Sequence, residues 1–158
     1  MKLLVIILSL FFIAPTGSAN EGSGVSSLSP ELQLLFSEEM VELKKGMNQI
    51  MDAYVAGQWN DIVPIAKKME NSYVLRQGLS QDQLDQLHSK LPKEFLSLDE
   101  RFHYYSRMLA HVSENKKVEL IGFYFSKMSE TCVSCHRLYA TRKFPSFKPD
   151  VEGDKHHH

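Results

Sequence analysis

Apolar side chains recur every three or four positions along most of this chain, in four runs punctuated by glycine and proline. The first run reads Phe36, Met40, Leu43, Met47, Ile50, Tyr54, and such a stripe predicts a helix with one buried face. Ser29 is its candidate cap, Pro30 suits the first helical position, and Gly57 ends it. The second predicted helix runs from Asn60 or Asp61 to Gln77, with Ile62, Ala66, Met69 and Tyr73 inward and Pro64 tolerated in the first turn. After Gly78, residues 80–90 suit a short extra helix before Pro92. The third long helix, 93–115, carries Leu98, Phe102, Tyr105, Leu109 and Val112. The fourth, 117–143, places Ile121, Phe125, Met128, Cys132, Cys135 or His136, and Tyr139 along its inner side. No stretch alternates with the period of two that marks an exposed sheet. The expected fold is therefore all-α, an antiparallel four-helix bundle.

The chemistry concentrates in the fourth helix, at Cys132-Val133-Ser134-Cys135-His136. This is the spacing of a covalent haem c attachment site. Two cysteines one helical turn apart share a face and can form thioethers to the two vinyl groups of a porphyrin. His136 then supplies the proximal imidazole to the iron. A redox dithiol normally sits in a β-α-β context, which the pattern lacks. A structural zinc needs four ligands, and no second paired motif exists. One haem c, in the bundle core between the last helix and the seam of the first, is the expected cofactor.

Residues 1–19 combine Lys2, an apolar run from Leu3 to Ile13 and the small residues Gly17, Ser18 and Ala19. That is a secretory leader, with cleavage expected after Ala19 and an apolar run too short to span a bilayer comfortably. Export to the periplasm, with no stable membrane insertion after cleavage, agrees with haem c, which is attached outside the bacterial cytoplasm. Residues 20–29 read as a flexible N-terminal arm, 30–143 as the haem-bearing domain, and 144–158, with prolines, Gly153 and three closing histidines, as a C-terminal tail. Without Lys2, the 18 basic side chains become 17 against 19 acidic ones, a net charge of −2. That balance suggests no nucleic-acid partner.

Placed near the C-terminus of four helical runs, the attachment motif resembles the class II cytochromes c, the cytochrome c′ type. The resemblance covers residues 30–143. It implies that Cys132 and Cys135 bind the haem, that His136 is the proximal ligand, and that Tyr139 is a neighbouring aromatic in the same helix. The family's basic residue four positions after the ligand is absent here, where Ala140 stands between Arg137 and Arg142. The arginine one turn before the distal residue is also missing, with Phe36 and Ser37 in its place.

In low-spin members a methionine of the first helix completes the iron, which makes Met40 the first candidate for sixth ligand and Met47 the second. Methionine stripes are also ordinary core packing. A bis-histidine site would draw on His88, His103 or His111, but His103 and His111 flank the apolar stripe and read as surface residues. Glu38, Glu39 and Glu42 read as solvated charges, and no distal acid–base pair supports enzyme activity.

The resulting expectation is an electron carrier serving redox partner proteins. The alternative is a five-coordinate module binding nitric oxide or carbon monoxide, with Met40 or Leu43 as steric gate. A third reading is a non-haem thiol or metal protein. Relatives often dimerise through bundle helices, so a homodimer is compatible with the family.

Overall fold

A computed structural model describes residues 24–148. The expected leader, the start of the expected arm and the closing histidines lie outside the described residues. All regular structure among the described residues is helical: α1 (Pro30–Val55), α2 (Trp59–Glu70), α3 (Gln81–Lys90), α4 (Lys93–Glu114) and α5 (Val118–Tyr139), with single 3₁₀ turns at Val25–Ser27 and Pro145–Phe147. None of these helices is long and apolar enough to cross a membrane.

The helix ends follow from local chemistry. The Ser29 hydroxyl accepts the Leu32 N–H at 3.4 Å, and Pro30 occupies the first turn of α1. At the other end Gly57 adopts φ +70°, so that its N–H reaches Tyr54 O and the Gln58 N–H reaches Ala53 O. This paired arrangement closes the last carbonyls of a helix. Lys116, at φ 51°, does the same for α4 without being glycine: its N–H donates to Ser113 O, and the Lys117 N–H donates to Val112 O. Ser80 and Gln83 form a reciprocal capping box on α3.

α2 ends earlier than its pattern predicts, at Glu70 rather than Gln77. Ser72, at φ 59°, turns the chain out of the helix, and α1 then holds the residues that follow. The Glu39 carboxylate accepts the backbone N–H groups of Tyr73 (3.1 Å), Val74 (2.6 Å) and Leu75 (3.2 Å). Three consecutive donors satisfied by one side chain have no need of helical carbonyls. Glu39 itself is only 2% exposed. The expectation that it is a solvated charge is thus corrected.

Two apolar clusters form the interior. One joins Ile50, Ile62, Met69, Phe102, Leu109, Ile121 and Met128 between α1, α2, α4 and α5. The other, at the opposite end, joins Leu28, Leu32, Phe36, Leu75, Leu87, Leu91 and Phe95. α3 thereby contributes to the core through Leu87, with Leu91 just beyond it. Residues 24–29 pack on the fold: Leu28 is buried, and the Ser29 N–H donates to Gln86 Oε1 at 2.7 Å.

Backbones approach closely along α2 and α4, α4 and α5, and α1 and α2. α1 and α5 run in opposite directions and meet mainly through side chains. Tyr54, near the end of α1, stacks on Phe125 near the start of α5, with ring centroids 6.5 Å apart. At the other end, Cys135 and Tyr139 of α5 pack against the cluster that contains Leu32 and Phe36. This architecture is compatible with a helical bundle.

Candidate haem-attachment site

Cys132 and Cys135 lie on successive turns of α5, both partly buried and both free thiols. Cys132 packs against the first apolar cluster and Cys135 against the second, so the pair bridges the two halves of the core. Burial raises the Cys132 thiol above its usual range. It pushes Cys135 up to about 12, assisted by the negative character of Cys132 and Asp99.

His136 is half-buried, and its ring lies nearly parallel to that of Phe144, at 23° and 4.5 Å between centroids. α5 stops at Tyr139, four residues before the predicted end, because the chain turns at Ala140. The Lys143 and Phe144 N–H groups both donate to Ala140 O, folding the tail back toward the helix. Burial, then the Lys143 charge, lowers the proton affinity of His136. A neutral imidazole is the form that binds a metal.

Tyr139 meets the Phe95 ring edge-on at 5.1 Å, and Phe95 meets Phe36 at 5.9 Å. Burial followed by Glu94 raises the Tyr139 phenol above its usual value. These three rings close one end of the space between α1, α4 and α5.

The methionines separate. Met47 is partly buried against the first cluster. Met40 is 38% exposed, which corrects its expected place on the fully inner seam. Glu39, Gly46 and Ala53 occupy the inward stripe instead. Gly46 faces α2: a Cβ there would stand 2.6 Å from Met69 Cε and 2.7 Å from Tyr73 Oη. Residues seven apart share a helix face, so Met40, Met47 and Tyr54 form the neighbouring stripe. Tyr54 is the member that touches α5.

Antiparallel helices of equal rise fix the level of each residue. Tyr54 sits opposite the segment from Gly122 to Phe125. Following α5 down from there brings His136 level with the turn of α1 from Met40 to Leu43. Met47 lies one to two turns farther up.

His103, expected at the surface, is 7% exposed. Its Nδ1 donates to Met69 O at 2.8 Å, and Nε2 faces Asp99 Oδ1 at 3.4 Å. It borders a cavity of about 130 Å³ that also meets Phe36, Leu75, Leu87, Phe95 and Asp99. A second cleft, of about 380 Å³, opens between the start of α1 and the end of α5, lined by Gly24, Gln33, Leu138, Tyr139, Arg142 and Lys143 among others. The burial of Glu39 and His103 and the return of Phe144 onto His136 were not legible in the sequence. The heptad Leu32, Glu39, Gly46, Ala53 was the one signal that could have placed Glu39 inside.

No protein-family model matches this chain, and neither a characterised protein nor a solved structure shows significant similarity to it.

The side chains fit a covalent haem c in donor type: two free thiols turned toward apolar clusters, followed by an imidazole held neutral. Space is the stricter test. Small-molecule pockets run to roughly 300–1,000 Å³. The cleft between α1 and α5 is of that order and the cavity beside Phe95 is smaller, but neither is lined by Cys132, Cys135 or His136. A macrocycle held by these residues therefore requires side chains around α5 to move apart.

Proposed function

We propose that this protein is an exported, periplasmic cytochrome of the class II type, in which Cys132 and Cys135 hold one haem c and His136 is the proximal ligand. The observation that carries the reading is the attachment motif on α5, with its two free thiols set against opposite apolar clusters. On this reading α1, α2, α4 and α5 form an antiparallel four-helix bundle around the haem, and α3 is an addition to it.

The thiol alternatives are less well supported. A redox dithiol works through a lowered cysteine pKa, and here burial drives both thiols the other way. Among the described residues, no three His, Cys, Asp or Glu side chains form a metal-binding group.

Bound haem would supply a one-electron iron couple, and the role we assign is electron transfer with redox partner proteins. The chain's own residues supply the rest. Cys132 and Cys135 fix the macrocycle edge to α5, His136 offers a neutral nitrogen, and the apolar clusters keep water from the centre. Met40 is the preferred sixth ligand, because it shares a helix face with Tyr54, which meets α5, and falls at the level of His136. Thioether and imidazole ligation together raise a haem potential.

A gas-binding reading is favoured by one observation. Met40 is partly exposed and belongs to neither apolar cluster, so the sixth position could stay open to nitric oxide or carbon monoxide. Visible spectra of the purified protein, oxidised and reduced, with and without carbon monoxide, test both. A low-spin spectrum unmoved by the gas fits the methionine-ligated carrier. A high-spin spectrum that shifts fits the gas-binding module. Absence of covalent haem from a strain competent in haem attachment refutes both.

A further inference from the structure

The geometry points to Phe144 as a positioning residue for the His136 imidazole, a role that rests on the haem reading proposed above. The rings lie 4.5 Å apart at 23°, an arrangement that covers one face of the imidazole. Offset parallel stacking at this distance is attractive and restricts rotation of the smaller ring.

Phe144 is itself held in place. Its N–H donates to Ala140 O at 2.9 Å, its carbonyl accepts the Phe147 N–H at 3.1 Å, and the Phe147 ring meets it edge-on at 6.4 Å. Pro145 starts the next 3₁₀ turn and fixes the direction of the chain just after Phe144. The early end of α5 thus has a use, because a helix continuing past Tyr139 would carry Phe144 away from His136. An aromatic lid from the tail holds the ring plane of the ligand by packing alone.

The test compares Phe144→Ala, Phe144→Leu and Phe144→Tyr with the wild type, all purified as haem-loaded protein from a strain competent in haem attachment. Haem per chain is measured by pyridine haemochrome, and the electron paramagnetic resonance g values report the ligand's orientation at the iron. Wild type and Phe144→Tyr are expected to share one narrow set of g values. Phe144→Ala and Phe144→Leu are expected to keep one haem per chain while the low-field g value shifts and broadens.

Spectra of Ala and Leu variants identical to wild type would overturn the assignment and leave the cytochrome reading standing. Wild type without covalent haem would overturn the cytochrome reading, and the assignment with it. Where Phe144→Ala does not fold, Phe144→Leu decides, since it keeps apolar bulk and removes only the flat ring.

Discussion

Val74 donates its backbone N–H to a carboxylate oxygen of Glu39 2.6 Å away, across 35 positions of sequence. With the flanking bonds from Tyr73 and Leu75, this contact holds the loop after α2 against α1. Removing the acceptor strands three backbone donors, at least one of them in a fully buried setting, and each such loss costs about 1–3 kcal/mol. Glu39→Ala should therefore destabilise the protein by about 3 kcal/mol in chemical denaturation, and Glu39→Gln, which keeps one oxygen acceptor, by less. A loss below about 0.5 kcal/mol for Glu39→Ala would mean that the loop keeps its place by apolar packing through Leu75 alone.

Gly122 and Tyr54 offer a second test, of the α1–α5 register. A Cβ at position 122 would stand 2.6 Å from Tyr54 Oη. Gly122→Ala gains up to about 1 kcal/mol of helix propensity but must displace that hydroxyl, and overpacking of this kind costs about 1–3 kcal/mol. Net destabilisation is expected. Tyr54→Phe removes the clashing atom, so the double variant should be more stable than the sum of the two single changes. Strict additivity in thermal or chemical melts would show that the two side chains do not meet.

Lys116 holds a left-handed conformation, φ 51°, at the position that closes α4. Glycine adopts that region without a Cβ penalty. Lys116→Gly should raise stability by about 0.5–1 kcal/mol. The same change at exposed Lys44, in the interior of α1, should lower it by about 1 kcal/mol. Equal effects at the two sites would contradict the backbone assignment.

Much of the helical content was legible because its signals are periodic and local. Ser29-Pro30, Gly57, Ser80 with Gln83, and Pro92 mark boundaries through the backbone groups that they cap or withhold. What misled was polarity read one residue at a time. Glu39 and His103 are both hydrophilic and both buried, because each meets a partner distant in sequence: three N–H groups of the 73–75 loop, and Met69 O. No local pattern encodes those partners. Met40 failed in the opposite sense. It continues an apolar stripe, yet the buried positions of α1 are Glu39, Gly46 and Ala53, which leaves Met40 38% exposed. The attachment motif was legible as a motif, whereas the return of Phe144 onto His136 depends on the turn at Ala140, which no repeat announces.

The thiols give a prediction with a definite pH window. Cys135 is pushed up to about 12 from an ordinary 9.0, by burial first. A raised value favours the protonated thiol in the folded chain. Its contribution to stability is complete below pH 9.0 and disappears as the pH rises through about 12. In haem-free protein at pH 8 Cys135 would be almost entirely in the thiol form. Alkylation by iodoacetamide should then be slow in the folded chain, and it should accelerate steeply in denaturant. Rapid labelling of Cys135 in the folded state would contradict its burial against the second cluster.

Met40 and Met47 separate the two candidate sixth ligands on geometric grounds. Both belong to the stripe whose member Tyr54 meets α5, but only Met40 falls at the level of His136. Met47 instead packs against the first cluster. Its truncation should therefore read out as a core defect, costing about 2–4 kcal/mol, with the haem spectrum unchanged. Met40→Ala removes a 38% exposed side chain and should cost under about 1 kcal/mol in folding, because surface changes seldom exceed that. In the haem-loaded protein, the same variant should lose the sulfur-to-iron absorption band and acquire carbon monoxide binding, with attachment through Cys132 and Cys135 intact. The reverse pattern, with a spectral change in Met47→Ala and none in Met40→Ala, would place the ligand one to two turns higher on α1. It would also shift the α1–α5 register by the same distance, which the Gly122 and Tyr54 variants would then have to show independently.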